Sequence, residues 1–175
     1  MNDPKKTFQK RNTLRLVRYD YTQPGAYFIT IVTHQRIPYF GKMENNQLVI
    51  TEIGKIVQAE WFKTAVLRPT IELFDDEFIL MPNHLHGIIR VAGNLTDEKN
   101  VELFGKPNKN SIPTIIAAFK SVVARTIKKI PEYCMAEIWQ RNYYEHIIRN
   151  EQDLTEKRDY IRKNPQNWSK DEENI

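Results

Sequence analysis

Residues 71–91, IELFDDEFILMPNHLHGIIRV, hold two strand-like apolar runs on either side of Pro82 and Asn83. Two such runs around a short turn predict an antiparallel hairpin. The second run carries two of the four histidines, His84 and His86. Because alternate side chains of a strand share a face, both imidazoles point the same way, with α-carbons about 6.6 Å apart. The hairpin therefore predicts either half of a metal site or a merely polar strand surface.

Three further segments are rich in β-branched, aliphatic or aromatic residues and predict strands. They are AYFITIVTHQR (26–36), QLVI (47–50) and YYEHIIR (143–149).

Helical spacing of apolar residues or helix-capping residues predicts three helices. The first runs from Ile53 to about residue 65, with Thr51 as N-cap and Pro69 beyond its end; the second spans 112–130, capped by Ser111 and ended by Pro131; the third is a polar helix over 151–164, stopped by Pro165.

This order of elements predicts an α+β fold, an antiparallel sheet with helices packed mainly on one face. The other face is then available for binding. We expect one domain over residues 1–175, with a basic arm at about 1–20 and a short polar tail at about 169–175. Residues 92–111 show no sustained period and predict a long loop.

Composition limits the class of protein. A chain of 175 residues can bury a core without a disulfide or metal, and its single cysteine, Cys134, cannot form an internal disulfide. No apolar run approaches the roughly 20 residues that cross a bilayer, and none resembles a signal peptide. We therefore expect a soluble, cytoplasmic protein.

The charge is unevenly distributed. Net charge is +4, yet residues 1–18 alone carry six Lys and Arg against one acid, Asp3. An arm of this kind is suited to polyanions, because each cation placed on a phosphate releases counterions. A solvated terminus is the alternative.

A second constellation stands near the end of the sequence, in RDYIRKNPQNW. Tyr160 and Asn164 are four residues apart on the predicted polar helix and so share one face. A divalent ion that polarises an electrophile would make a tyrosine useful as a nucleophile, and an asparagine oxygen suits a hard cation such as Mg²⁺. The alternatives are structural: Tyr160 packs the helix on the sheet, and Asn164 caps it.

Three ordered segments, MPNHLHGII, WQRNYYEHIIRN and YIRKNPQNW, together resemble the REP-associated tyrosine transposases and the related single-tyrosine transposases of the smallest insertion sequences. These are HUH endonucleases, and the resemblance extends from YFITIVTHQR to Trp168. It implies a ferredoxin-like fold. It also implies metal ligation by His84 and His86, and a nucleophile at Tyr160. Asn164 occupies the position of the third ligand, which is glutamine in some relatives and longer by one methylene.

The resemblance further implies a reaction and partners. The tyrosine attacks a phosphate of single-stranded DNA with Mg²⁺ or Mn²⁺ as cofactor, and a 5′-phosphotyrosine link forms. The DNA carries a hairpin, as in REP-like elements or insertion-sequence ends. Relatives act as monomers or as homodimers that donate the tyrosine helix in trans.

Two rival functions remain open at this point, a non-catalytic single-stranded nucleic-acid-binding module and a metal-dependent hydrolase that uses water. Tyr143 and Tyr144 are rival nucleophiles, although their strand position favours a structural role. The basic residues predicted to contact nucleic acid are Arg15, Arg18, Lys120, Arg125 and Arg141.

Overall fold

The computed structural model of the protein describes residues 19–93, 110–171 and 173–174. Within these residues the strands are β1 (Gly25–Val32), β2 (Gly41–Glu44), β3 (Gln47–Ile50), β4 (Ile71–Glu72), β5 (Phe78–Leu80), β6 (His84–Val91) and β7 (Tyr144–Ile148), and the helices are α1 (Glu52–Leu67), α2 (Ile112–Ile127) and α3 (Glu151–Asn167). The predicted basic contacts Arg15 and Arg18 lie outside the described residues, as does most of the predicted 92–111 loop.

The predicted hairpin forms the middle of an antiparallel sheet. Strand β5 pairs with the first half of β6, with Leu80 opposite Leu85, and β4 pairs with the second half. On its other side β6 pairs with β1, and β1 pairs with β7, so that β7 is an edge strand. The predicted α+β fold with an antiparallel sheet is therefore confirmed.

Helices α1 and α2 cover one face of this sheet, as predicted. Thr51 caps α1 by accepting a hydrogen bond from the Gly54 N–H at 3.1 Å. The main core lies between these helices and the strands, and includes Trp61 from α1 and Phe119 from α2, whose rings meet edge to face. Burial of this apolar surface is the main stabilising contribution to the fold.

Helix α3 crosses the opposite face, which the sequence analysis left free for binding. Its apolar residues Leu154 and Ile161 pack on Phe28 of β1 and Ile88 of β6, forming a second and smaller cluster. Since the histidines alternate with Leu85 along β6, they lie on this same face. The polar helix therefore covers the strand that carries the histidine pair.

Several predicted element ends are wrong. Strand β1 stops at Val32 because Gln35 and Arg36 take positive φ angles of 51° and 56°, which a strand cannot contain. Helix α2 ends at Ile127, before Pro131. Pro165 does not stop α3, which continues to Asn167; the φ of proline is compatible with a helix, and the loss of its N–H and the crowding of its ring fall in the last turn.

The run 71–81 is not one strand. A short 3-10 turn, Asp75–Glu77, separates β4 from β5. Strand β2 was not predicted at all, and it pairs with the predicted β3 across Asn45 and Asn46, both with positive φ. In the described part of the chain, no helix is long and apolar enough to span a membrane.

Candidate metal and tyrosine site

The two histidines of β6 form a buried pair. Their ring centroids are 4.6 Å apart, and their exposed fractions are 0% for His84 and 3% for His86. They are held this closely because β6 is paired on both sides and its register places Thr30 of β1 opposite His86. The strand therefore brings both imidazoles to one point, as the sequence predicts.

Each histidine is oriented through its Nδ1 atom. Asn83 donates its amide to the carbonyls of Arg36 at 3.1 Å and Glu173 at 2.7 Å, which fixes the amide orientation. The Asn83 oxygen then accepts from His84 Nδ1, 2.9 Å away, so that a neutral His84 presents a lone pair at Nε2. His86 Nδ1 lies 2.8 Å from the Thr30 hydroxyl. Such contacts are typical of metal-ligating histidines.

Burial keeps both imidazoles uncharged at neutral pH. It lowers the pKa of His86 well below its ordinary value of 6.5, and the neighbouring His84 lowers it further. Burial also lowers the pKa of His84, against the opposing effect of the carboxylates of Asp171 and Glu173. The neutral imidazole is the form that ligates metals.

Helix α3 brings the predicted tyrosine to this pair. The helix begins at Asn150, whose side chain accepts a hydrogen bond from the Asp153 N–H at 2.9 Å. Further along, the Tyr160 hydroxyl lies 3.5 Å from His86 Nε2, and the Tyr160 ring meets the Phe28 ring edge-on at 5.8 Å. Tyr160 is nevertheless 48% exposed, so that this side chain lies at the surface of the protein.

Asn164 lies one turn further along α3 and is buried. Its Nδ2 is 3.4 Å from His86 Nε2 and donates to Asp171 Oδ2 at 2.9 Å. Its Oδ1 is buried and has no hydrogen-bond partner among the described residues. A buried oxygen left in this state is costly, and a cation would satisfy it.

Asp171 belongs to the same cluster, and the sequence analysis missed it. Its Oδ2 lies 3.8 Å from His84 Nε2. One ligand atom from each of His84, His86 and Asp171 falls within 4.8 Å of the others, so that these three residues could hold one metal ion. The only sequence signal was the acidic tail beginning seven residues after Asn164.

Trp168 and Glu173 connect the tail to the histidine strand. The Trp168 ring lies 5.9 Å from the His84 ring. The Glu173 carboxylate pairs with Arg36 Nε at 2.7 Å. The tail predicted from its polarity alone therefore packs along one side of the histidine pair.

The predicted nucleic-acid contacts are spread over the molecule. Lys120, on α2, donates to the carbonyls of Gln140 at 2.6 Å and Asn142 at 3.1 Å, and burial lowers its pKa to about 8. Arg125 is exposed on α2, on the opposite side of the sheet from the histidines. Arg141 is exposed between the two residues that Lys120 holds.

The rival tyrosines are placed differently from Tyr160. Tyr143 is half-buried against the main core. Tyr144 pairs with Thr30, which in turn pairs with His86, so Tyr144 lies on the histidine face but one strand further away. The Tyr160 hydroxyl, by contrast, lies 3.5 Å from His86 Nε2.

The chain is similar in sequence and fold to several known proteins. No protein-family model matches the chain. An uncharacterized protein of Haemophilus influenzae is 35% identical over 169 residues, covering 93% of this chain and 92% of that protein. A second protein of the same organism, named "Putative REP-associated tyrosine transposase", is 26% identical over 159 residues, covering 85% of this chain and 74% of that protein.

A solved structure shares the fold. A REP-associated tyrosine transposase bound to a REP hairpin superimposes with a TM-score of 0.58 at 19% sequence identity, covering 89% of this chain and 74% of that chain. This likeness shows that the chain has the HUH transposase fold. Together with the 26% identical relative and the motifs at His84, His86 and Tyr160, it confirms the resemblance of the chain to REP-associated tyrosine transposases.

Proposed function

We propose that the protein is a metal-dependent transposase or nickase that cleaves and rejoins single-stranded DNA through a 5′-phosphotyrosine intermediate. One observation carries the proposal: the hydroxyl of Tyr160, a half-exposed residue, lies 3.5 Å from Nε2 of the buried His86. A tyrosine placed only for packing would not need to place its oxygen beside a buried polar cluster. Two motifs 74 residues apart meet there.

The donor atoms around the pair fit a divalent cation. The Nε2 atoms of His84 and His86 and a carboxylate oxygen of Asp171 would hold it, with Asn164 Oδ1 as a further oxygen. Mixed nitrogen and oxygen donors are compatible with Mn²⁺, and the oxygens favour Mg²⁺ or Mn²⁺. Such a cation supplies neutralisation of the charge on the non-bridging phosphate oxygens.

The protein's own groups account for the covalent step. The Tyr160 oxygen attacks the scissile phosphorus, and its phenolic proton passes to solvent water at the exposed rim. The bond from phosphorus to the 3′-oxygen breaks, and that oxygen takes up a proton and leaves as a 3′-hydroxyl. Attack on the tyrosyl ester by another 3′-hydroxyl rejoins the DNA and restores Tyr160.

The face that surrounds Tyr160 supports a DNA partner. The homologous structure holds a REP hairpin, and we assign the same class of ligand, single-stranded DNA with a hairpin, to this chain. Gln140 bonds to Val32 and Tyr144 pairs with Thr30, so that Arg141 lies at the sheet edge level with the histidines. Arg141 is therefore the strongest of the proposed phosphate contacts.

The other proposed contacts are Arg15, Arg18, Lys120 and Arg125. Lys120 already donates to two backbone carbonyls beside Arg141, so its contribution is to hold that segment. The site is complete within one chain, because Tyr160 lies beside the histidines of its own β6. This supports action by a monomer, or by a homodimer with the tyrosine in cis.

The decisive experiment pairs two identical substitutions. Tyr160→Phe and Tyr144→Phe each remove one hydroxyl from a tyrosine that is 48% exposed on the histidine face. Each protein is incubated with labelled hairpin-bearing single strands and Mn²⁺, and covalent protein–DNA species are resolved on a denaturing gel. We expect a Mn²⁺-dependent adduct with the unmodified protein and Tyr144→Phe, and none with Tyr160→Phe.

The other outcomes identify the rival functions. DNA binding with no adduct from any protein indicates a non-catalytic binding module. Strand cleavage that persists in Tyr160→Phe indicates a hydrolase that uses water, and the tyrosine mechanism is then wrong. If the adduct is lost only in Tyr144→Phe, the nucleophile is Tyr144 on β7.

A further inference from the structure

A buried carboxylate lies behind the site and belongs to neither motif. Glu77 stands in the 3-10 turn between β4 and β5 and has no exposed surface. Its Oε2 accepts a hydrogen bond from Arg90 Nε at 2.9 Å, and its Oε1 is also bonded to Arg90 Nη2. The same Oε1 accepts from Arg158 Nε at 2.8 Å. One carboxylate thus binds two guanidinium groups.

The two arginines come from the two elements that form the site. Arg90 is four residues after His86 on β6, and Arg158 is two residues before Tyr160 on α3. Glu77 therefore joins the histidine strand to the tyrosine helix through charge-assisted hydrogen bonds, which are shorter and stronger than neutral ones.

At its start, helix α3 is also tied to β7, because the Asp153 carboxylate lies 2.8 Å from His146 Nε2. Arg158 lies much nearer to Tyr160 along the helix. The buried apolar side chains of α3 are Leu154 and Ile161, which pack on Phe28 and Ile88. Apolar packing is non-directional and tolerates small shifts of a helix along or around its axis. Arg158, in contrast, contacts the Glu77 carboxylate through both Nε and Nη2. Hydrogen bonds from a planar guanidinium are directional, so they restrain both movements.

We propose that Glu77 is a positioning residue, whose carboxylate holds α3 on β6 so that the Tyr160 oxygen rests against the histidine pair. The importance of this placement rests on the proposed function. A catalytic oxygen displaced by about 1 Å can lose on the order of 10²-fold in rate, although it lies in an otherwise intact site. Glu77 itself touches no reacting atom.

Arg158→Gln is the informative substitution, because it removes the link from α3 while Glu77 keeps its bond to Arg90. Arg162→Gln is the matched control: it makes the same change on the same helix, at a side chain that is 67% exposed and pairs only with Asp159 among the described residues. Arg158→Lys retains the charge but not the planar guanidinium. Circular dichroism and thermal unfolding show whether each variant is folded.

Two readouts separate positioning from simple loss of stability. The first is the imidazole NMR spectrum of the metal-free protein, in which His86 is assigned by substitution. We expect Arg158→Gln to move the His86 resonances in the same direction as Tyr160→Phe does, and Arg162→Gln to leave them in place. This measurement uses neither DNA nor metal, so it remains valid if the protein proves inactive.

The second readout is adduct formation below the unfolding temperature. We expect kcat to fall about 10²-fold in Arg158→Gln, with KM for the hairpin substrate unchanged. We also expect partial recovery in Arg158→Lys and no effect in Arg162→Gln.

Unmoved His86 resonances in a folded Arg158→Gln overturn the proposal, as does an unchanged kcat. Absence of any Tyr160-dependent adduct in the unmodified protein contradicts the proposed function instead, and the NMR result then decides the positioning role. If Arg158→Gln fails to fold, Arg158→Lys takes its place in both measurements, with the same two outcomes overturning the proposal.

Discussion

Gly87, which directly follows the second histidine, faces away from the site and into the main core. A β-carbon added there would lie 2.3 Å from Cζ2 of Trp61 and 3.0 Å from its Cε2 and Cη2. The Trp61 ring cannot easily move, because it is 2% exposed and packs against Phe78 at 5.4 Å and Phe119 at 5.6 Å. We therefore expect Gly87→Ala to destabilise the protein.

The size of the effect follows from the clash. Ordinary van der Waals contact starts near 3.4 Å, so β6 and α1 must separate by about 1 Å. Overpacking of this kind costs about 1–3 kcal/mol, and a rigid aromatic partner favours the upper part of that range. Replacing a strand glycine returns roughly 0.5–1 kcal/mol of backbone entropy. The net loss is about 2 kcal/mol, or about 4–8 °C in Tm for a chain of this length.

Urea unfolding of four proteins tests this reasoning as a double-mutant cycle. They are the unmodified protein, Gly87→Ala, Trp61→Phe and the double variant. Trp61→Phe is itself destabilising because it leaves a cavity, but it removes the ring atoms that the new methyl group meets. We expect Gly87→Ala to cost much less in the Trp61→Phe background. Equal costs in both backgrounds, or a stabilising Gly87→Ala, would refute the steric argument.

Two further predictions concern the site. The pKa values of His84 and His86 in the folded protein lie below 6.5, so the unfolded chain binds more protons than the folded one below that pH. We therefore expect the free energy of unfolding, measured in EDTA, to fall as the pH drops through 6.5. The decrease is at most about 1.4 kcal/mol per pH unit for each histidine. Urea midpoints between pH 5 and 7.5 measure this, and a flat profile contradicts it. Asp171→Asn should weaken Mn²⁺ binding at least about tenfold by calorimetry, whereas Glu173→Gln, whose carboxylate pairs with Arg36, should change it less; equal affinities would exclude Asp171 as a ligand.

The sequence predicts those parts of the fold that local pattern determines. Alternation along residues 84–91 correctly placed both histidines on one face and Leu85 on the other, because a strand has a period of two. Thr51 was correctly identified as the N-cap of α1, since its side chain and the first turn are neighbours in sequence.

Long-range contacts account for most of what the sequence analysis missed. The run 71–81 has the composition of a strand, yet the chain turns at residues 75–77 and buries Glu77, whose partner Arg158 lies 81 residues away. Asp171 lies in a polar segment whose composition is typical of an exposed tail. Its position beside His84 depends on how α3 crosses the sheet. No local period encodes either contact. The resemblance to known transposases singled out Tyr160 and the two histidines together, and in the structure the Tyr160 hydroxyl lies 3.5 Å from His86 Nε2.

The burial that keeps His84 and His86 uncharged affects the binding of a proton and of a metal ion differently. A proton on His86 would be a charge held in a buried position, beside a second imidazole and without a carboxylate contact of its own. A divalent ion held by the two imidazoles would also have the carboxylate of Asp171 within reach, and that negative charge would offset part of the cost of burying the ion. Because burial lowers the pKa of both histidines, we expect the pair to stay neutral, the form that can ligate a metal, at a pH where exposed histidines would begin to be protonated.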